Sequence, residues 1–203
     1  MHFYDYEKNF LGITEPELCK YDKSKFVIQS LPYEHTSSYV AGSARGPEAI
    51  IGASHFVEFY DEMLQMETYK QCGIATAEPL KFDQKVDADA IALIEAATDQ
   101  FIKDGKFVIS LGAEHTVTFG LVKSHLKKNP GLSVLQIDAH ADLRFSYHDN
   151  LYSHASVMAR VHELEVPLVQ IGIRALSKPE ADLSASSNKI HTFYAHDIRT
   201  HSN

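Results

Sequence analysis

The sequence predicts an α/β fold, a mostly parallel sheet with helices on its faces. Three observations predict it. Short apolar runs alternate regularly with longer stretches whose apolar residues recur every three or four positions. The short runs are close to continuously apolar, as strands buried on both faces of a parallel sheet must be. Gly, Pro, Asn and Asp punctuate the chain between them.

Taken in order, Phe26 to Leu31 reads as a strand closed by Pro32. Gly46-Pro47 opens a helix predicted to reach Tyr60, with Pro47 in the first turn, where its missing N–H costs nothing. Asp87 to Lys103 is a helix carrying Ile91, Ile94, Ala97, Phe101 and Ile102 on one face, ended by Asp104-Gly105. Phe107 to Leu111 is a buried strand. Thr116 to Lys127 is a helix with Val117, Leu121, Val122 and Leu126 inward, and Asn129-Pro130-Gly131 is a turn. The expected remainder is strand Leu132 to Ile137, helix Ser156 to Leu164, strand Leu168 to Ile173, short helix Lys178 to Ala185 and strand Ile190 to Tyr194. The length of 203 residues, with no repeat and no linker, suits one domain over 1–203.

The net charge of −8 argues against nucleic acid or an anionic membrane as partner, because phosphate binding needs clustered Lys and Arg. No run approaches the roughly 18 apolar residues that cross a bilayer, and the N-terminus shows no basic stretch leading into an apolar one. Cys19 and Cys72 are the only cysteines and have no ligand spacing. A disulfide framework is therefore not expected, and a reducing cytoplasm is the expected location.

Ligands of such sheets collect beyond the C-terminal ends of the strands. Two strand ends carry chemistry. After Phe107 to Leu111 comes Gly112-Ala113-Glu114-His115. After Leu132 to Ile137 comes Asp138-Ala139-His140-Ala141-Asp142. If the chain stays extended there, Asp138, His140 and Asp142 point to one side. Two carboxylates and an imidazole on one face repel and desolvate one another unless a cation joins them. The triplet thus predicts a metal site, whereas His115 alone would read as a structural or solvated histidine. His and Asp donors without Cys favour Mn2+ over Zn2+, Fe2+ or Ni2+.

At these residues the chain resembles the agmatinase/arginase (ureohydrolase) family. Leu111-Gly112-Ala113-Glu114-His115 is similar to its G-G-(D/E)-H element, with Ala113 replacing the second Gly. Asp138 to Asp142 matches its D-A-H-x-D element, and Ser153-His154-Ala155-Ser156 resembles its third, His-containing element. Gly42 to Ile50 resembles the element ending G-P-x-A-I, and Ile171-Gly172-Ile173-Arg174 the G-x-R strand. The resemblance implies a three-layer α/β/α arginase-like fold and two Mn2+ per site in the intact family. His115, Asp138 and Asp142 would hold one ion, Asp138 and His140 the other. Water activated between the ions would attack the guanidinium carbon of a small guanidino substrate. His154 would be the catalytic proton shuttle or a substrate contact; its plainer reading is a helix-start histidine with a local hydrogen bond. The family also assembles as trimers or hexamers, so a homo-oligomer is expected.

The resemblance has two departures. The family's remaining ligands come from an Asp-x-Asp element on a later strand, and no such element follows Tyr194. Asp197 lies in Ala195-His196-Asp197-Ile198, similar to the segment before that strand. Asp87-Ala88-Asp89 has the spacing but sits at a helix start, where an N-cap and a favourable dipole charge are the simpler reading. The expectation is a C-terminally truncated fold with an open sheet edge and impaired or absent turnover, or a non-catalytic metal-binding or assembly fragment. The second departure is Leu143-Arg144, where arginases carry an Ile-Asn that reads the amino-acid end of arginine. This favours agmatine, cleaved to putrescine and urea. Arg144 as a carboxylate-binding residue would suit guanidinobutyrate or a formimino amino acid instead, and its plainer reading is a salt bridge to an acid such as Asp149.

Overall fold

The computed structural model describes residues 1–200. In chain order the helices and strands are α1 (Pro16–Cys19), β1 (Phe26–Leu31), α2 (Gly46–Ala53), β2 (Tyr60–Asp61), β3 (Met66–Glu67), α3 (Tyr69–Cys72), β4 (Ile74–Thr76) and α4 (Asp87–Lys103). They continue with β5 (Phe107–Gly112), α5 (Val117–Lys128), β6 (Val134–Ile137), α6 (Val157–Glu163), β7 (Leu168–Ile173), α7 (Lys178–Ser186), β8 (Ile190–Tyr194) and α8 (Ala195–Thr200).

The mostly parallel α/β architecture is as expected, but its strands pair as two sheets rather than one. β4-β1-β5 form one parallel sheet and β6-β7-β8 another, while β2 and β3 make a small antiparallel hairpin. Among the described residues, β5 pairs only with β1 and β6 only with β7. Both open edges carry exposed apolar side chains: Phe107 is 62% exposed on β5, and Leu135 and Ile137 are 59% and 78% exposed on β6.

Each sheet has its own core, and α5 belongs to both. Val117, at its start, packs with Leu31, Tyr33, Ala90 and Ile94. Val122, one and a half turns on, packs with Val157, Met158, Val161, Leu168 and Ile173 around β7. The helix also lies close against α4. A Cβ added at Gly120 would come within 2.9 Å of the Ile91 carbonyl oxygen, so glycine is what allows the two helices this approach.

The helix from Gly46 is shorter than predicted. It stops at Ala53, a single 3-10 turn follows over Ser54–Phe56, and Tyr60 belongs to the hairpin. Ser54 accounts for the stop: its hydroxyl donates to the Ile51 carbonyl (2.6 Å) and accepts the Leu11 N–H (2.8 Å). A side chain bonded to the backbone in this way competes with helix continuation. The hairpin, β4 and the short helices α1, α3 and α8 were not anticipated; all are too short to show a period.

Candidate metal centre

The predicted residues lie where β5 and β6 end. After Gly112 the chain turns into α5, and His115 sits one turn ahead of it, its carbonyl accepting the Thr118 N–H (3.0 Å). After Ile137 the chain keeps company with the segment beyond β7. The Asp138 N–H donates to Ile171, Arg174 and Ala175 both donate to the Ala139 carbonyl, and His140 bridges Ala175. A bulge between Ile171 and Ile173 makes room. Gly172 there has φ 90°, and a Cβ would stand 3.3 Å from the Asp138 carbonyl oxygen. That conformation at that distance favours glycine.

The strand ends at Ile137, the chain bends at Ala139 and Asp142 turns left-handed, which corrects the expectation of an extended run through Asp142. Asp142 has φ 51°, and its carbonyl accepts the N–H groups of Met158 (3.0 Å) and Ala159 (3.3 Å) at the start of α6. The turn swings its carboxylate to His115. His115 Nδ1 lies 2.6 Å from Asp142 Oδ2 and 3.6 Å from Asp138 Oδ2. One donor atom from each of the three residues falls within 4.8 Å of the others. Two ligands about 2.1 Å from one ion and at right angles stand about 3 Å apart, and the two His115–carboxylate separations fall on either side of that value. His140 stands apart from this trio. It is largely exposed, with Nδ1 3.8 Å from Asp138 Oδ1, the oxygen other than the one facing His115. Asp138 therefore offers one oxygen to each side.

A buried polar ladder holds Asp138. Gln136, Gln170 and Thr192 are register partners across β6, β7 and β8. Gln170 is 0% exposed; its amide donates to Gln136 Oε1 (2.6 Å) and to the Ala141 carbonyl (2.9 Å), and its Oε1 accepts from Thr192 (3.0 Å). Gln136 then donates to Asp138 Oδ2 (3.3 Å) and to the His140 carbonyl (3.0 Å). Burial pushes the Asp138 carboxyl up, but the His140 N–H, the Gln136 amide and the His115 imidazole outweigh it and hold it below its ordinary value. An anionic Asp138 beside Asp142 and an imidazole is a donor set that fits a hard or borderline divalent ion.

The trio opens onto a cleft of about 870 Å3, walled on one side by the loop through Ser37–Ser43. Glu114, Asp138, Asp142 and Glu180 line it, against Arg144 as its only Arg or Lys among the described residues. Arg144 has a different partner from the one expected. Its Nε lies 3.8 Å from Glu180, not beside Asp149, and its guanidinium lies over the Tyr147 ring. Glu180 is buried and also caps α7 by accepting the Ser177 N–H. His154 lines the cleft, edge-on to Tyr147, and its Nδ1 meets Thr36 Oγ1 at 3.0 Å. That partner lies 118 residues away, so the bond is not the local one anticipated. Asp87 lies outside this group: it opens α4 and accepts the Asn150 amide (2.7 Å).

Sequence reading missed Thr36, Tyr147 and Glu180. The only signal was the Ser177-x-x-Glu180 capping box, which marks a helix start and not a cleft. Glu114 stood inside a quoted element without a role.

The family model described as "Arginase family" matches residues 24–203. The chain is 38% identical over 191 residues to the N(1)-aminopropylagmatine ureohydrolase of Synechocystis, covering 92% of this chain and 62% of that protein. It is 32% identical over 166 residues to the agmatinase of Bacillus anthracis, covering 79% and 56%. The agmatine ureohydrolase of Thermoplasma volcanium superposes with a TM-score of 0.78 at 29% identity, over 91% of this chain and 62% of that one. The proclavaminate amidino hydrolase of Streptomyces clavuligerus, at 19% identity and a TM-score of 0.80, shares the fold over 98% of this chain and 66% of its own. The chain spans about three-fifths of the length of the curated relatives it matches. No helix among the described residues is long and apolar enough to cross a membrane. With a match from residue 24 onward and the His115, Asp138 and Asp142 trio standing in two of the quoted elements, this chain belongs to the arginase family.

Proposed function

We propose that this protein is a manganese-dependent ureohydrolase of a small cationic guanidino compound, agmatine or its N-aminopropyl derivative. The observation that carries the reading is the His115, Asp138 and Asp142 trio opening onto an acidic cleft. Divalent ions held there, with His140 on the far oxygen of Asp138, would lower the pKa of a water and aim it at the guanidinium carbon. The chain's own groups do the rest. Asp138 and Asp142 supply the negative charge that holds the ions. Glu114 and Glu180 add to the field that draws a cationic amine into the cleft. His154 handles the proton that must reach the departing amine.

Three features support this substrate class. The first is that Glu114 and Glu180 line the cleft in addition to the two carboxylates that would hold the ions. The second is that Arg144 is already answered by Glu180, which leaves it poorly placed for a substrate carboxylate and disfavours guanidino acids. The third is the names of the relatives, which divide between agmatine and aminopropylagmatine. Residues 1–203 act as one domain in this reading, since α5 packs into both cores. The exposed edges of β5 and β6 support assembly with further copies into a trimer or hexamer. Two free cysteines accord with a cytoplasmic setting.

Two ions bring four positive charges, and Asp138 and Asp142 answer two. The second ion should therefore bind weakly, and the 203-residue chain should turn over slowly or not at all. The test is urea release from agmatine and from N1-aminopropylagmatine at saturating Mn2+, with Asp138→Asn as control. Robust turnover abolished by that control would overturn the impairment. Failure to bind Mn2+ at all, by calorimetry, would overturn the metal reading.

A further inference from the structure

Thr36, to which nothing above gives a part in the reaction, joins Glu114 to His154 in one hydrogen-bond network. The Glu114 carboxylate accepts the Thr36 N–H (2.9 Å), the His35 N–H (3.3 Å) and the Thr36 hydroxyl (3.1 Å). The Thr36 hydroxyl oxygen is in turn 3.1 Å from the His154 backbone N–H, which donates to it, and 3.0 Å from His154 Nδ1.

Counting protons decides the last contact. A carboxylate only accepts, and a threonine hydroxyl has one hydrogen to give. That hydrogen goes to Glu114, because a hydrogen bond to a charged acceptor is about twice as strong as a neutral one. Thr36 Oγ1 then has only lone pairs left for His154. One takes the backbone N–H, and the other can accept only from a protonated Nδ1. The neutral ring therefore carries its hydrogen on Nδ1, the form less favoured by free histidine, and Nε2 keeps the lone pair.

We infer that Thr36, with its hydroxyl oriented by Glu114, is a positioning residue that holds His154 in the Nδ1–H tautomer and leaves Nε2 as the ring's proton acceptor. The functional consequence rests on His154 handling a proton, as proposed above; the tautomer itself does not. A base working through Nε2 must have its other nitrogen occupied by a fixed acceptor. Thr36 supplies that acceptor from the loop that also walls the cleft.

The experiment is long-range 1H–15N correlation on the metal-free 203-residue chain with 15N-labelled histidine. The sample is kept alkaline, where an imidazole is neutral, and His154 is assigned by its absence in His154→Gln. The expected wild-type pattern has a pyrrole-type Nδ1 and a pyridine-type Nε2. Thr36→Val should shift both resonances toward the reverse assignment, and Thr36→Ser should restore the wild-type pattern. A wild-type spectrum showing Nε2–H, or a folded Thr36→Val spectrum unchanged from wild type, overturns the inference. If Thr36→Val does not fold, the wild-type spectrum and Thr36→Ser still decide it. A separate failure, urea release unaffected by His154→Gln, would overturn the role of His154 in turnover without moving the tautomer result.

Discussion

Gln170→Leu is the sharpest probe of how the fold presents Asp138. Gln170 is fully buried, and its amide serves Gln136 Oε1 and the Ala141 carbonyl. Leucine of similar size would strand both acceptors. Thr192 would keep Ser184 as a partner (2.8 Å) and lose less. Two stranded buried acceptors cost about 1–3 kcal/mol each, offset in part by about 1.5–3 kcal/mol for burying the leucine. The net expectation is a loss of about 1–3 kcal/mol, read as a lower urea midpoint at unchanged slope. Gln136 would also lose its anchor while still contacting Asp138 and the His140 carbonyl. Mn2+ affinity should therefore fall about 10- to 100-fold, as when groups that orient a ligand are removed. Adding Gln136→Leu removes one of the stranded acceptors, so the double variant should be less destabilised than the sum of the singles. Additivity within about 0.5 kcal/mol, or unchanged Mn2+ binding in Gln170→Leu, would refute the idea that this ladder positions Asp138.

Other outcomes follow from the same geometry. Asp138→Ala should lose more Mn2+ affinity than His115→Ala or His140→Ala, because its two oxygens face different histidines; equal losses by calorimetry would count against a shared ligand. Leu135→Lys, on the open edge of β6, should reduce self-association in sedimentation velocity, and an unchanged distribution would show that this edge is not what associates. Glu34 accepts from the N–H groups of Gly42 and Ala44 and from the Ser37 hydroxyl, and these bonds lower its carboxyl from 4.5 to about 2. A lowered carboxyl stabilises the fold above its ordinary value and loses that effect as pH falls through its folded value. Order in the loop of residues 34–44 should therefore be lost between about pH 4.5 and 2, and Glu34→Gln should loosen it at neutral pH. Hydrogen exchange confined to that loop reads both effects; equal protection in the variant would dismiss the carboxylate as its fastener.

The sequence by itself determined the elements whose signal is local. β1, α4, β7 and β8 lie over the residues that periodicity assigned, because a strand or helix long enough to complete its period writes it in neighbouring residues. The candidate ligands Asp138, His140 and Asp142 stood out for the same reason, since they are close in the chain. What only the tertiary structure decided depends on residues far apart. Asp142 reaches His115 through a left-handed turn held by the N-terminus of α6. Arg144 finds Glu180 and not Asp149, because the chain beyond β7 folds back beside it. His154 is held by a threonine 118 residues away, which only the packing of the loop after β1 brings within reach. The split into two sheets was equally illegible: which strands pair depends on hydrogen bonds between segments distant in sequence, and each apolar run reads the same whether one of its edges is paired or open.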